Sequence, residues 1–128
     1  MARIPIAPPD MKDQRPRYTL GWRVGNTIYV AGQLPYDKDG NLVGKGDMRA
    51  QMEQTFKNLD ACLKAAGATW ADVVKSNTYV TDYPEFSKHS DVRMRYFGVA
   101  IPTSTTVQIS RLADPDAMVE IEMIAVVA

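Results

Sequence analysis

At 128 residues and 14.2 kDa the chain is long enough for one domain and too short for two. Its composition, 45% hydrophobic and 23% charged, is that of a globular protein. The balance of 15 Lys+Arg against 15 Asp+Glu leaves a formal net charge of zero, which argues against a dedicated nucleic-acid or anionic-membrane binder. No apolar run approaches the ~18 residues of a membrane span, and Met1–Pro9 lacks the apolar core of a signal peptide. Cys62 is the only cysteine, so no intramolecular disulfide can form, and a reducing cytoplasm is the expected location. With His89 the only histidine, a His/Cys metal site within one chain is not expected.

Residues 1–17 carry Pro5, Pro8, Pro9 and Pro16 and read as an extended, partly mobile arm ahead of a single domain over 18–128. From Thr19 the period becomes strand-like. Leu20, Trp22 and Val24 alternate with Gly21 and Arg23, and Gly25-Asn26 forms a two-residue hairpin signal before Thr27–Val30. A turn at Asp37–Asn41 leads to Leu42-Val43 as a short third strand. Asp47 can cap a helix reaching about Ala66, with Met48, Met52, Phe56, Leu59, Cys62 and Leu63 on one face and Gly67 as the stop. Thr69 and Asp72 fit a capping box, and Val73–Val80 is β-branched enough for a strand. A second helix is expected from about Glu85 to Phe97, then strands at Thr105–Ile109 and Val119–Val127. The order is βββαβαββ: an α+β fold with one mixed sheet and two helices on one face. Leu20, Trp22, Ile28 and Val30 are assigned to the other face. An apolar face without cover predicts self-association.

Few residues invite chemistry. His89-Ser90-Asp91 cannot form a catalytic triad among themselves, because adjacent helical residues point about 100° apart. His89 therefore reads as a helix-surface residue, and Cys62 as a packed core thiol. Glu120 and Glu122 share one face of the last strand, roughly 7 Å apart by twice the residue rise. They are either charges partnered by arginines on an exposed face, or a carboxylate in a cleft that acts as general base or positions a water. Ser104-Thr105-Thr106 offers hydroxyls that suit a strand start or bind a polar ligand. Tyr18 is either a core anchor or a pocket wall.

Several stretches taken in order resemble the RidA/YjgF family of reactive-intermediate deaminases. They are Gly25-Asn26-Thr27-Ile28-Tyr29-Val30-Ala31-Gly32-Gln33, the helix with Gln51, Asn58-Leu59 and Leu63…Gly67-Ala68, Asp72-Val73-Val74-Lys75, Tyr96-Phe97-Gly98 with Pro102, and Val119–Ala125. The resemblance runs from about Tyr18 to Val126. It implies a chorismate-mutase-like fold in a homotrimer, with three sheets as an inner barrel and a small-molecule site in each intersubunit cleft. It also implies hydrolysis of enamines or imines to ketoacids and ammonia without metal or organic cofactor. Glu120 then matches the catalytic carboxylate that orients the attacking water. Tyr18 matches the pocket tyrosine, Gly32 the glycine of a loop lining the cleft, and Thr106 a position that offers its backbone carbonyl. Ser90 stands where many members have asparagine. Ser104 stands where the deaminases place the arginine that clamps the substrate's carboxylate, and Thr105 follows it in place of the serine of that stretch. A serine offers one neutral donor where a guanidinium offers charge-assisted bonds of ~1.5–3 kcal/mol each. The general 2-iminocarboxylate activity is therefore not expected unless Arg17, Arg23 or Arg93 reaches the cleft. A related C–N hydrolysis is expected instead. Its rivals are a non-catalytic metabolite-binding or chaperone-like protein of the same fold and, least supported by the charge balance, an RNA-acting protein.

Overall fold

The computed structural model describes residues 2–128. Its elements are β1 (Arg3–Pro5), β2 (Gly21–Val24), β3 (Thr27–Gln33), α1 (Met48–Ala65), a single 3₁₀ turn (Trp70–Asp72), β4 (Val73–Val80), α2 (Tyr83–Ser87), α3 (Ser90–Phe97), β5 (Thr103–Gln108) and β6 (Val119–Val126). They build one six-stranded sheet in the order β1-β2-β3-β6-β4-β5, antiparallel except for the β4–β5 pair. The mixed α+β architecture agrees with the sequence reading, as do the Gly25-Asn26 hairpin and the two-faced last strand.

The local signals act as their chemistry dictates. Asp47 caps α1 by accepting from the Ala50 amide at 3.1 Å. At the other end Gly67 takes φ +77°, which lets the Ala68 amide turn back to the Leu63 carbonyl at 2.9 Å. Asp72 accepts from the Thr69 amide at 2.8 Å, the reciprocal half of the expected capping box. The apolar stripe of α1 packs on β3 and β6, so Met52, Leu59, Ile28, Val119 and Ala125 all lie at 0% exposure. Phe56 stacks on Tyr96 at 5.1 Å and meets Phe97 edge-on at 5.9 Å, which ties α3 to α1 on that same face. Cys62 is fully buried and its thiol is pushed up to about 12 by burial, as befits a core residue.

Three expectations change. Leu42-Val43 is not a strand, because its pairing is limited to a single bridge between Leu42 and Tyr36. The third N-terminal strand comes instead from the arm, where Arg3–Pro5 pairs with β2 and Ile6 is buried. Prolines in an edge strand are no obstacle, since the missing N–H can face away from the ladder. The single helix over Glu85–Phe97 is two. Asp82 caps α2 through the Glu85 amide at 3.1 Å, with Pro84 in the first turn, where its missing N–H costs nothing, and the chain breaks at Lys88-His89 before α3. Finally, Leu20, Ile28 and Val30 belong to the helix-covered core, not to the open face. The register pairs Ile28 with Ala125 and Val30 with Met123, so Trp22, Val24, Tyr29, Ile124 and Val126 are among the apolar residues of the open face. Hairpin register, which the alternation of one strand alone does not set, decides this assignment.

Candidate active site

β6 is the spine of the site. Val119, Ile121, Met123 and Ala125 are buried toward the helices, which sends Glu120, Glu122, Ile124 and Val126 to the open face. The neighbouring strands put Tyr79 opposite Glu120 and Asn77 opposite Glu122. Asn77 Nδ2 and Tyr79 Oη both donate to Oε1 of Glu122, each at 3.0 Å. That bond, together with burial and the charge of Glu122, raises the Tyr79 phenol. No protein donor reaches Glu120 among the described residues. Its carboxylate is half-buried, and its proton affinity is raised, first by burial and then by the charge of Glu122.

Gly32 explains how Glu120 fits. A Cβ at this position would run into Oε1 of Glu120 and lie 2.9 Å from the carboxyl carbon, so the carboxylate rests on the bare backbone of residue 32. The glycine expected in a loop is in fact inside β3, at the register shift between Val30 and Gln33. This irregularity frees the backbone beside Glu120. Tyr18 comes from the turn ahead of β2, where its amide and that of Arg17 both reach the Gln14 carbonyl. The Tyr18 phenol is raised mainly by burial; the charge of Glu120 adds to the rise, and that of Arg17 opposes it. Tyr36 lies nearby, bonded to Asp114 at 2.9 Å and pushed up to about 12 by burial and that bond.

The other named residues lie apart in the single chain. Thr105 shares the open face with Glu122, separated from it by Asn77 of β4, roughly 10 Å away by two strand spacings. Ser104 and Thr106 point to the other face: Ser104 pairs with buried Ser76, whose hydroxyl is 3.4 Å from its own. β5 is one of the two edges of the sheet, paired on one side with β4. Ser90 opens α3 on the helix-covered side, away from Glu120. His89 precedes α3 and pairs with Glu85 at 3.2 Å, with no part in the carboxylate cluster.

The arginines sort cleanly. Arg23 closes the C-terminal end of α1, donating to the Ala66 carbonyl at 2.6 Å and to Gly25 at 3.1 Å. Arg93 lies over the Phe97 ring at 4.8 Å. Neither is free to serve the Glu120 cluster. Among the described residues Arg17 makes no hydrogen bond through its guanidinium, and it stands next to Tyr18, so it is the remaining one of the three named in the sequence. A pattern search could not have seen this, because Arg23's partner is 43 residues away. Sequence reasoning also missed Asn77 and Tyr79, for which the only signal is their position on the polar rows of a strand. A hollow of about 430 Å³ on the open face is lined by Trp22, Tyr29, Lys75, Asn77, Glu122 and Ile124, beside Glu122 and not over Glu120.

Known proteins resemble this chain over nearly its whole length. Residues 12–127 match the family model described as endoribonuclease L-PSP. A RutC family protein of Pyrococcus abyssi is 40% identical over 108 residues, 84% of each chain. A 2-iminobutanoate/2-iminopropanoate deaminase of Dermatophagoides farinae is 34% identical over 110 residues, 86% of this chain and 85% of the relative. The crystal structure of E. coli TdcF with bound serine superposes with a TM-score of 0.88 at 27% identity, covering 98% of this chain and 99% of that one. Taken with the fold, these matches establish that the chain belongs to the endoribonuclease L-PSP family, which is the RutC and RidA/YjgF family.

Proposed function

We propose that the protein is a cofactor-independent hydrolase of the RidA type that deaminates an enamine, an imine or a related C–N bond in a small metabolite. The observation that carries this reading is Glu120: a half-buried carboxylate with no protein donor, resting on the bare backbone of Gly32 beside Tyr18. Such a group is available to hold a water. An imine carbon is already electrophilic, so an oriented water and a place for one proton suffice. Glu120 accepts a proton as the water oxygen bonds to the carbon of the protonated imine, giving a neutral carbinolamine, and returns that proton to its nitrogen. As the C–N bond breaks, the hydroxyl proton passes to Glu120 and on to solvent, leaving a carbonyl and ammonia. An enamine enters the same path after protonation at carbon.

The working form in this reading is a homotrimer whose sheets form an inner barrel, housed in the cytoplasm. Two features support the assembly: the open face carries Trp22, Tyr29, Ile124 and Val126 without cover, and the β5 edge is unpaired. A second copy is also what would carry the hydroxyls of Ser104, Thr105 and Thr106 to a Glu120 that they do not reach within one chain. Ser104 offers no positive charge, so the preferred substrate lacks the 2-carboxylate or presents it elsewhere. Arg17 is the one named arginine free to meet it.

The test is imine hydrolysis. An amino-acid oxidase supplies imines, semicarbazide traps them, and loss of trapped product is followed for wild type, Glu120→Ala, Ser104→Arg and Arg17→Gln. Glu120→Ala is expected to lower kcat/KM by about 10²–10⁴, the range of a general base. Ser104→Arg is expected to gain activity on 2-iminocarboxylates, and Arg17→Gln to lose whatever wild type shows on them. A wild type and Ser104→Arg that are both silent overturn the hydrolase reading. They would favour the second one, a metabolite-binding protein without turnover, for which Ser104 in place of a clamp is the specific observation. The RNA-acting alternative requires binding that falls steeply with salt.

A further inference from the structure

The two carboxylates of β6 share a face and a charge but not an environment. Glu122 receives two hydrogen bonds on Oε1, from Asn77 and Tyr79, while Glu120 receives none among the described residues. Tyr79 is in register with Glu120, yet its hydroxyl goes one row along the strand to Glu122. Two like charges roughly 7 Å apart on a half-buried face cannot both be held at equal ease. Donors that favour the ionised form decide which member keeps its charge.

We propose that Glu122 is a positioning residue for the hydrolysis: held in place by hydrogen bonds from Asn77 and Tyr79, it makes Glu120 the member of the pair that takes the proton. This deepens the function proposed above and rests on Glu120 being the group that handles the water. A base must gain a proton in one half of the reaction and give it up in the other, which works best when its proton affinity is near that of its surroundings. A solvated, unpaired glutamate would be too weak a base. Burial and the charge of Glu122 correct that in the same direction.

The other charged and titratable groups around the pair are few. β4 contributes Tyr79 and Lys75, and Lys75 forms no ion pair with either carboxylate within 4 Å. β3 contributes Tyr29, in register with Ile124. The turn before β2 contributes Tyr18 and Arg17, which act on each other. None of these donates to Glu120, so Glu122 is the nearest fixed charge on its own strand.

The test is a carboxyl-carbon NMR titration of glutamate-labelled full-length protein, run beside the pH profile of imine hydrolysis. In wild type Glu120 is expected to titrate above the ordinary glutamate value. Glu122→Gln should move the Glu120 titration to lower pH and carry the acid limb of kcat/KM with it. Tyr79→Phe keeps both carboxylates but removes one of the two donors to Glu122, so the Glu120 titration should move in the same direction by less. A Glu120 titration that stays in place in both variants overturns the proposal, as does one that rises in Glu122→Gln. Titrations that move as expected with no imine turnover in any variant keep the Glu120–Glu122 coupling and refute the hydrolase reading. Turnover with an uncoupled Glu120 does the reverse. A loss of packing alone would lower activity without shifting the Glu120 curve.

Discussion

On the helix-covered side of the sheet, buried polar side chains are used up. Gln51 of α1, at 0% exposure, donates to the carbonyls of Gly44 and Asp116 at 3.0 Å each and accepts from the Met118 amide at 2.7 Å. Asn58, two turns further along the same face of the helix, donates to the carbonyls of Leu34 and Tyr36 at 3.1 and 2.8 Å. Thr55 Oγ1 is the exception, buried without a partner. On the open side Glu120 is half-buried and no protein group donates to it. A saturated polar group fixes a backbone, whereas an unsaturated one is kept for something that arrives. The two sides are connected. Gln51 holds Met118 and so sets where β6 begins, two residues before Glu120. Asn58 holds the chain just after Gln33, and so the segment that follows Gly32.

The sharpest way to break the contrast is on the saturated side. Gln51→Met keeps the volume but leaves two carbonyls and one amide unpaired in the interior. We expect a loss of ~3 kcal/mol or more, read from chemical denaturation, since each stranded group costs about 1–3 kcal/mol. Activity per folded molecule should fall as well, because the start of β6 is no longer pinned. A Gln51→Met protein as stable as wild type would show that the loop carbonyls find other partners and that the saturation is incidental.

Gly32→Ala probes the open side with one methyl group. The backbone of Gly32 is not in the left-handed region, so an alanine is not strained there, and the three atoms nearest the added Cβ all belong to the Glu120 side chain. Glu120 must swing away. We expect kcat/KM to fall on the order of tenfold to a hundredfold, about 1.4–3 kcal/mol of positioning, with the denaturation midpoint hardly moved. Equal losses in both measurements would mean that Gly32 is there for the sheet and not for the carboxylate.

These two sites also differ in how far they could be read from the sequence. The helix α1, its Asp47 cap and its Gly67 stop follow from a 3.6-residue period and local chemistry, and they stand as expected. The alternation of β6 put Glu120 and Glu122 on one face before any contact was known. What the chain did not disclose is pairing at a distance. The strand made by Arg3–Pro5 looks like an arm until β2 is beside it. Ile28 and Val30 face the core only because the hairpin sets their register against Met123 and Ala125. Asn77 and Tyr79 are ordinary strand residues until β6 lies next to β4 and Glu122 meets them. Arg23 was a candidate for the cleft until the end of α1 claimed it. Resemblance to a family supplied the role of Gly32, but its place inside β3 and its reason, room for Oε1 of Glu120, are properties of the packed sheet.

The smallest effect separates function from stability at Glu120 itself. Its proton affinity is raised in the folded chain relative to the ordinary value of 4.5, so the native state binds this proton more tightly than the unfolded state does. Stability must then decline as pH rises from about 4.5 through the raised native value, and the cost is fully present above it. Glu120→Gln cannot ionise and escapes this cost. The variant should match wild type at pH 4 and be slightly more stable at pH 7, by less than ~1 kcal/mol because the carboxylate is half exposed and screened by water. Glu122→Gln should not show the same gain, since it gives up a carboxylate that two donors already hold. Thermal unfolding of both variants across this pH range decides the matter. A Glu120→Gln protein that is less stable than wild type at pH 7 would mean the carboxylate has a partner that holds the fold together. A gain in stability joined to a loss of turnover is the mark of a residue kept under electrostatic strain for its chemistry.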